Sequence, residues 1–114
     1  MGVNRSKTGY ILVVDDEKYN CDVIYGLMGV LNVKERKDIT EFVYNGLDAV
    51  KKVQEAIYDC NAYKYSLIVM DSNMPFMDGY EATRHIRKTY NSIGVDREHQ
   101  PLIVGLSGHV EQEY

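Results

Sequence analysis

The sequence predicts an α/β fold in which a parallel β-sheet is covered by helices on both faces. Four short apolar runs have the length and β-branched content of buried strands. Three stretches with apolar residues at three- and four-residue spacing lie between them, as amphipathic helices require. This alternation with short loops is typical of a parallel sheet with right-handed crossovers, and 114 residues are enough for one such domain.

The first strand is predicted at residues 10–14, where a continuously apolar run ends abruptly at the three acidic residues 15–17. Such a run is typical of a strand that is buried on both faces. A helix is predicted next, at about residues 18–31. Its apolar stripe consists of Val23, Ile24, Leu27, Met28 and Leu31. We expect Asn32 to end this helix.

A second strand is predicted at residues 39–44, because β-branched and aromatic residues accumulate there and stop at the turn Asn45-Gly46. The helix after this turn has its apolar stripe at Leu47, Val50, Val53 and Ile57. Residues 58–65 are predicted to be a polar and aromatic connector. The third strand follows at residues 67–70, a short run of Leu, Ile, Val and Met.

A third helix is predicted after Gly79. Its inward positions are Ala82, Ile86 and Tyr90, and its outward charged positions are Glu81, Arg84, Arg87 and Lys88. Residues 91–100 are predicted to form a polar loop, and the apolar run at 102–106 a fourth strand.

Composition and charge argue against several classes of function. The formal net charge of -4 does not fit a nucleic-acid-binding protein, which needs an excess of Lys and Arg on one face. Every apolar run is shorter than the roughly 20 residues that span a bilayer, so we expect a cytoplasmic domain without membrane contact. We expect Cys21 and Cys60 to be reduced packing residues. Residues 1–9 are predicted to be a leader segment, and residues 10–114 the domain itself.

Acidic side chains follow two of the predicted strands. Asp71 comes directly after the third strand and, taken alone, fits a turn or helix cap equally well. In an open parallel sheet, however, the strand ends bring Asp15, Asp16, Asp71 and Ser107 to one edge, where ligand sites form. Three neighbouring carboxylates raise each other's pKa unless a cation intervenes, and Mg2+ prefers such oxygen ligands.

Four segments, in this order, resemble the receiver domain of two-component response regulators. They are Ile-Leu-Val-Val-Asp-Asp-Glu at 11–17, Asn-Gly-Leu-Asp-Ala at 45–49, Met-Asp-Ser-Asn-Met-Pro-Phe-Met-Asp-Gly-Tyr-Glu-Ala-Thr at 70–83, and Pro-Leu-Ile-Val-Gly-Leu-Ser-Gly at 101–108. The resemblance implies a doubly wound, flavodoxin-like sheet with strand order 2-1-3-4-5. The resemblance is strongest to receivers attached to hybrid sensor histidine kinases. The domain is therefore expected to be a phosphorelay module, and the resemblance leaves open whether it is part of such a kinase.

The resemblance also implies a role for each matching residue. Asp71 would be the phosphoacceptor, taking a phosphoryl group from a phosphohistidine of a histidine kinase or a histidine phosphotransfer protein. With Asp71, a Mg2+ site would include Asp16 as a direct ligand, Asp15 through water or a hydrogen bond, and Asn73 through its backbone carbonyl. Ser107 would hydrogen-bond a phosphoryl oxygen.

The sequence departs from this family at its end. Receiver domains continue into a fifth strand, a fifth helix and a lysine that pairs with the phosphoryl group, and this chain stops at Tyr114 before those positions. We therefore expect an exposed fourth strand and either marginal stability, rearrangement or completion by another chain, such as a swapped homodimer. Two alternatives stay open: an interaction module that takes no phosphate, and a Mg2+-dependent phosphohydrolase, although Asn73 stands where such enzymes usually have a second acid.

Overall fold

The computed structural model describes residues 9–30 and 38–106. The predictions for the leader segment, apart from Gly9, lie outside these ranges. The predicted helix end at Asn32 and the predicted role of Ser107 also concern residues outside them.

Four parallel strands form one sheet in the order β2-β1-β3-β4, as predicted for the first four strands of the family. The strands are β1 (Tyr10–Val14), β2 (Thr40–Val43), β3 (Tyr65–Met70) and β4 (Leu102–Gly105). The first strand agrees with its predicted bounds. The third begins two residues earlier than predicted, while the second is one residue shorter at each end and the fourth ends one residue earlier.

Three helices connect the strands, namely α1 (Lys18–Val30), α2 (Gly46–Tyr58) and α3 (Gly79–Ser92). The Asn45 side chain caps α2 by accepting the backbone N–H of Asp48 at 2.7 Å. Asp78 caps α3 in the same way, accepting the N–H of Glu81 at 2.8 Å. A short 3₁₀ turn (Arg97–His99) lies in the predicted polar loop. None of the helices in the described ranges is long and apolar enough to cross a membrane.

The helices cover both faces of the sheet, as predicted. On one face, strand residues pack against α2 and α3; the main participants are Leu12, Val14, Ile68, Met70, Ile103, Val50, Val53, Ala82, Ile86 and Tyr90. On the other face, Ile11 and Val13 pack against Cys21, Ile24 and Met28 of α1. The strand residues alternate between the two clusters because successive side chains of a strand point to opposite faces.

The sequence-based prediction is wrong about the burial of three apolar side chains. Val23 and Leu27 of α1 and Leu47 of α2 were predicted to face the core, yet all three are exposed. Periodicity identifies an apolar stripe, but the neighbouring elements decide how much of the stripe is covered. Cys21 is buried as expected, whereas Cys60 is exposed, and both thiols are free.

Two polar side chains are also placed differently from the prediction. The sequence pattern places Tyr65 in the connector, but Tyr65 begins β3 and is buried. Its hydroxyl donates to Glu41 Oε1 at 2.6 Å. The sequence pattern places Arg87 on the outer face of α3. It is half-buried instead, because its Nη1 donates to the Gln100 side chain at 3.0 Å and to the Pro101 carbonyl at 2.9 Å.

Within the described residues, β4 pairs with β3 alone and lies at an edge of the sheet. On the sheet face that α1 partly covers, Leu102 is 64% exposed and Val104 is 38% exposed. The predicted marginal stability and the swapped homodimer stay predictions.

Candidate functional site

The three predicted acidic residues meet at the carboxyl edge of the sheet. β1 and β3 are neighbours, with Val14 paired to Met70, so the residues that follow them emerge side by side. The N–H of Asp71 donates to the Val14 carbonyl at 2.9 Å, which adds one more hydrogen bond to the pairing of β1 with β3. Carboxylate oxygens of Asp15, Asp16 and Asp71 consequently lie within 4.8 Å of one another.

Asp15 is the buried member of this acidic cluster, with 2% of its surface exposed. Its Oδ1 accepts the backbone N–H of Glu17 at 2.9 Å, and its Oδ2 accepts the side-chain amide of Asn20 at 3.1 Å. Within the described ranges, no Lys, Arg or His side chain forms an ion pair with Asp15. Neutral donors therefore orient this carboxylate and leave its charge uncompensated.

Asp71 is half-buried, and its electrostatic surroundings disfavour a negative charge. Burial raises the pKa of Asp71, and the charges of Asp15 and Asp16 raise it further. The backbone N–H of Asn73, which donates to Asp71 Oδ1 at 3.1 Å, opposes this shift. A cation among the three carboxylates would relieve the repulsion.

Two glycines allow the loop after Asp71 to fold back tightly. Gly79 donates its N–H to the Ser72 carbonyl at 3.2 Å, and a Cβ on Gly79 would overlap the Asp71 carbonyl and come within 2.8 Å of Ser72 Cα. A Cβ on Gly46 would lie 2.8 Å from the Met77 carbonyl oxygen. Close backbone contact at both points requires glycine and determines the path of the Asp71 loop.

The structure thus brings together Asp15, Asp16 and Asp71, and it places Asn73 next to Asp71 through the Asn73 N–H. The role predicted for the Asn73 carbonyl stays a prediction, as does the role of Ser107. Sequence reasoning missed Asn20, whose amide reaches Asp15. The available signal was an amide side chain five residues after that acid, on the first turn of the predicted helix.

A second group of potential metal ligands lies elsewhere. It consists of Asp96, Glu98 and His99, which are all exposed around the 3₁₀ turn. This turn precedes β4, so it lies at the amino edge of the sheet, opposite Asp71. It has no part in the chemistry of the acidic cluster.

Comparison with known proteins agrees with this geometry. The family model described as the response regulator receiver domain matches residues 11–114. The histidine kinase CKI1 of Arabidopsis thaliana is 35% identical over an alignment of 105 residues that covers 87% of this chain and 9% of the kinase. The chain therefore spans less than a tenth of the length of that relative.

Solved structures show the same fold. The receiver domain of CKI1 complexed with Mg2+ has a TM-score of 0.71 and 32% identity, covering 90% of this chain and 70% of that one. The receiver domain of Saccharomyces cerevisiae Ssk1, crystallised with the histidine phosphotransfer protein Ypd1, has a TM-score of 0.63 at 23% identity, covering 87% and 63%. On the extent of the family match and on the identity to CKI1, this chain belongs to the response regulator receiver domain family.

Proposed function

We propose that this chain accepts a phosphoryl group on Asp71 from a phosphohistidine, in a Mg2+-dependent phosphorelay. The observation that carries the proposal is the acidic cluster: in a chain of the receiver family, carboxylate oxygens of Asp15, Asp16 and Asp71 lie within 4.8 Å of one another at the carboxyl edge of the sheet. Ligand sites of open parallel sheets form at this edge.

The proposed step is a phosphoryl transfer with Asp71 as nucleophile. A carboxylate oxygen of Asp71 attacks the phosphorus, and an acyl phosphate forms on that side chain. The phosphorus–nitrogen bond of the phosphohistidine breaks, and its electron pair stays on the imidazole nitrogen, which then takes up a proton. The hydrogen bond from the Asn73 N–H to Oδ1 orients the Asp71 carboxylate before the attack.

The residues of the cluster fit a Mg2+ ion. All donors are oxygens, and burial together with the charges of Asp15 and Asp16 raises the pKa of Asp71, so a cation here would offset these charges. Asp16 is more open to solvent than Asp15 and would bind the ion directly with Asp71, while Asp15, whose oxygens already accept two hydrogen bonds, would bind through water. Asn73 would contribute its backbone carbonyl. When bound, the ion supplies positive charge that offsets repulsion between the carboxylate and the phosphoryl oxygens.

The proposed partner is a histidine kinase or a histidine phosphotransfer protein. The similarity to CKI1, a histidine kinase, supports this class of partner. The Ssk1 receiver, which shares the fold, was crystallised with such a phosphotransfer protein. Ser107 would contact the phosphoryl group, and a cytoplasmic location belongs to the same proposal.

We also propose that β4 pairs with a second copy of the chain. The support is that β4 lies at the edge of the sheet formed by the described residues and that its Leu102 and Val104 side chains are exposed, since an apolar edge strand favours association. Sedimentation equilibrium is expected to show a dimer that Val104→Lys dissociates. A monomer at all protein concentrations would contradict the proposed pairing of β4. It would not bear on the proposal that Asp71 accepts a phosphoryl group.

The phosphoacceptor role is tested with a small phosphodonor such as acetyl phosphate, with and without Mg2+. Wild type is expected to take up one labelled phosphoryl group in the presence of Mg2+ and none after Mg2+ is chelated. Asp71→Asn is expected to take up none under either condition. Asp78→Asn is the matched control, because Asp78 is an exposed helix cap seven positions further along. Label that persists in Asp71→Asn would refute the assignment. Mg2+ binding without any label on wild type would instead favour the interaction module.

A further inference from the structure

Asn20 makes a contact that the proposed phosphotransfer does not use. It lies on the first turn of α1, and its Nδ2 donates to Asp15 Oδ2 at 3.1 Å. The other oxygen of the same carboxylate accepts the Glu17 N–H at 2.9 Å. Two donors on two different oxygens fix the rotation of the carboxylate plane, which neither donor would fix alone.

The chemical type of the donor matters as much as its position. An amide orients Asp15 without neutralising it, whereas an ammonium or guanidinium group would compete with a metal cation for the same negative charge. Lys18 lies on the same helical turn, but its Nζ pairs with Asp22 Oδ1 at 3.8 Å. Within the described residues, no side-chain cation pairs with Asp15, and its carboxylate lies within 4.8 Å of those of Asp16 and Asp71.

The side chain of Asn20 contributes little to α1 itself. Asn20 bonds to the start of its own helix through its backbone, where the Asn20 N–H donates to the Glu17 carbonyl at 3.0 Å. Asn is also a weaker helix former than Ala, so Asn20→Ala removes the contact with Asp15 while improving the local helix propensity. Metal affinity should consequently fall much more than the stability of the fold, because the gain in helix propensity offsets the lost hydrogen bond.

We propose that Asn20 is a positioning residue for the metal site, which acts by holding the Asp15 carboxylate in the orientation that a Mg2+ ion and its water shell require. This inference rests on the proposed Mg2+-dependent function. Partners that orient metal ligands from outside the coordination sphere typically change metal affinity by about 10- to 100-fold when they are removed. Because Asp15 itself would bind the ion through water, we expect a loss at the lower end of that range, about 10-fold, in Asn20→Ala.

The test measures Mg2+ affinity of the full chain by isothermal titration calorimetry and the melting temperature without metal. Asn20→Ala is expected to weaken Mg2+ binding about 10-fold. The melting temperature should change little, because the helix propensity that Ala adds offsets the hydrogen bond that Asp15 loses. Asn20→Gln keeps the amide on a longer stem and is expected to recover part of the affinity. Tyr19→Ala, a change at the exposed neighbouring position, is the matched control and should leave the affinity unchanged.

The outcomes separate this inference from the proposed function. Wild-type affinity in Asn20→Ala would overturn the role of Asn20 while leaving the metal site intact. A parallel fall of affinity and melting temperature that Asn20→Gln does not reverse would also overturn it, because the effect would then be structural. If wild type binds no Mg2+, and Asp16→Asn gives the same titration as wild type, the result contradicts the proposed Mg2+-dependent function itself.

Discussion

A carboxylate oxygen of Asp71 lies within 4.8 Å of a carboxylate oxygen of Asp15, although Asp15 follows β1 and Asp71 follows β3. Neither side chain can move away easily, because Asp15 is buried and both are tied to backbone N–H groups. The pKa of Asp71 is raised by its burial and by the neighbouring charges. The site is therefore destabilised in the absence of a cation, as is common where function requires clustered charge.

Asp71→Asn is expected to stabilise the metal-free protein at neutral pH. Because the folded-state pKa of Asp71 is raised, the carboxyl group favours folding only while it is protonated, and this contribution is lost as the pH rises through that pKa. The gain should stay below about 1 kcal/mol, since the group is partly exposed and solvent screens it. Thermal unfolding should show a higher melting temperature than wild type.

This difference should shrink below about pH 4, where the wild-type carboxyl is protonated, and also in saturating Mg2+. Asp78→Asn is the control, because Asn and Asp cap helices equally well and no stabilisation is expected there. A lower melting temperature for Asp71→Asn than for wild type would contradict the electrostatic account of the site.

Gly79→Ala is expected to destabilise the protein by about 2 kcal/mol or more and to weaken Mg2+ binding, because its Cβ would overlap the Asp71 carbonyl. Gly26→Ala is the contrasting variant. It adds the same methyl group within α1, where nothing lies within 4 Å of the new atom, and should stabilise by about 0.5 to 1 kcal/mol. Urea unfolding compares the two, and equal effects would refute the steric argument.

Cys60→Gly is expected to stabilise the protein by about 0.5 to 1 kcal/mol. Cys60 has φ of 60° just after α2, and its N–H donates to the Ile57 carbonyl at 3.0 Å. Glycine adopts this left-handed conformation without the strain that a Cβ introduces. Cys60→Ala keeps the Cβ and should match wild type in chemical denaturation. A gain of equal size in both variants would show that the thiol, rather than the backbone, is responsible.

Glu41 is expected to stabilise the fold at neutral pH but not in acid. Burial alone would raise its pKa, but the side-chain hydrogen bonds of Lys64 and Tyr65 and the charges of Lys64 and Lys52 outweigh burial and lower it. The Lys64 ammonium lies 2.8 Å from Oε2. A lowered folded-state pKa means that the contribution is complete above the unfolded-state pKa and is lost as the pH falls through the folded-state value.

Glu41→Gln should therefore be less stable than wild type by about 1 to 2 kcal/mol at neutral pH, with the gap closing in acid. Glu55→Gln, the same change at an exposed position of α2, is the control and should have little effect. A gap that stays constant from neutral to acidic pH would show that ionisation of Glu41 is not involved.

The parts of the structure that were predicted from the sequence depend on local patterns. Continuous apolar runs identified β1, and spacing identified the buried Ala82, Ile86 and Tyr90 of α3. The acidic cluster was predictable because parallel strands end at one edge. The contacts of Tyr65 and Arg87 were not, because their partners lie on other elements and only the packed fold brings them within reach.

The same reason explains why Asn20 was missed. Its role depends on the direction in which α1 leaves β1, which no local pattern encodes. The exposure of Leu27 and Leu47 likewise depends on what covers each helix and not on the helix itself.

The central claim, that Asp71 accepts phosphate, is tested most directly by following labelled phosphate from a phosphohistidine-bearing phosphotransfer protein to this chain. With Mg2+, the label is expected to leave the donor and to appear on wild type as an acyl phosphate, but not on Asp71→Asn and not after chelation of Mg2+. Label that stays on the donor while wild type binds Mg2+, or label that reaches Asp71→Asn, would contradict the account.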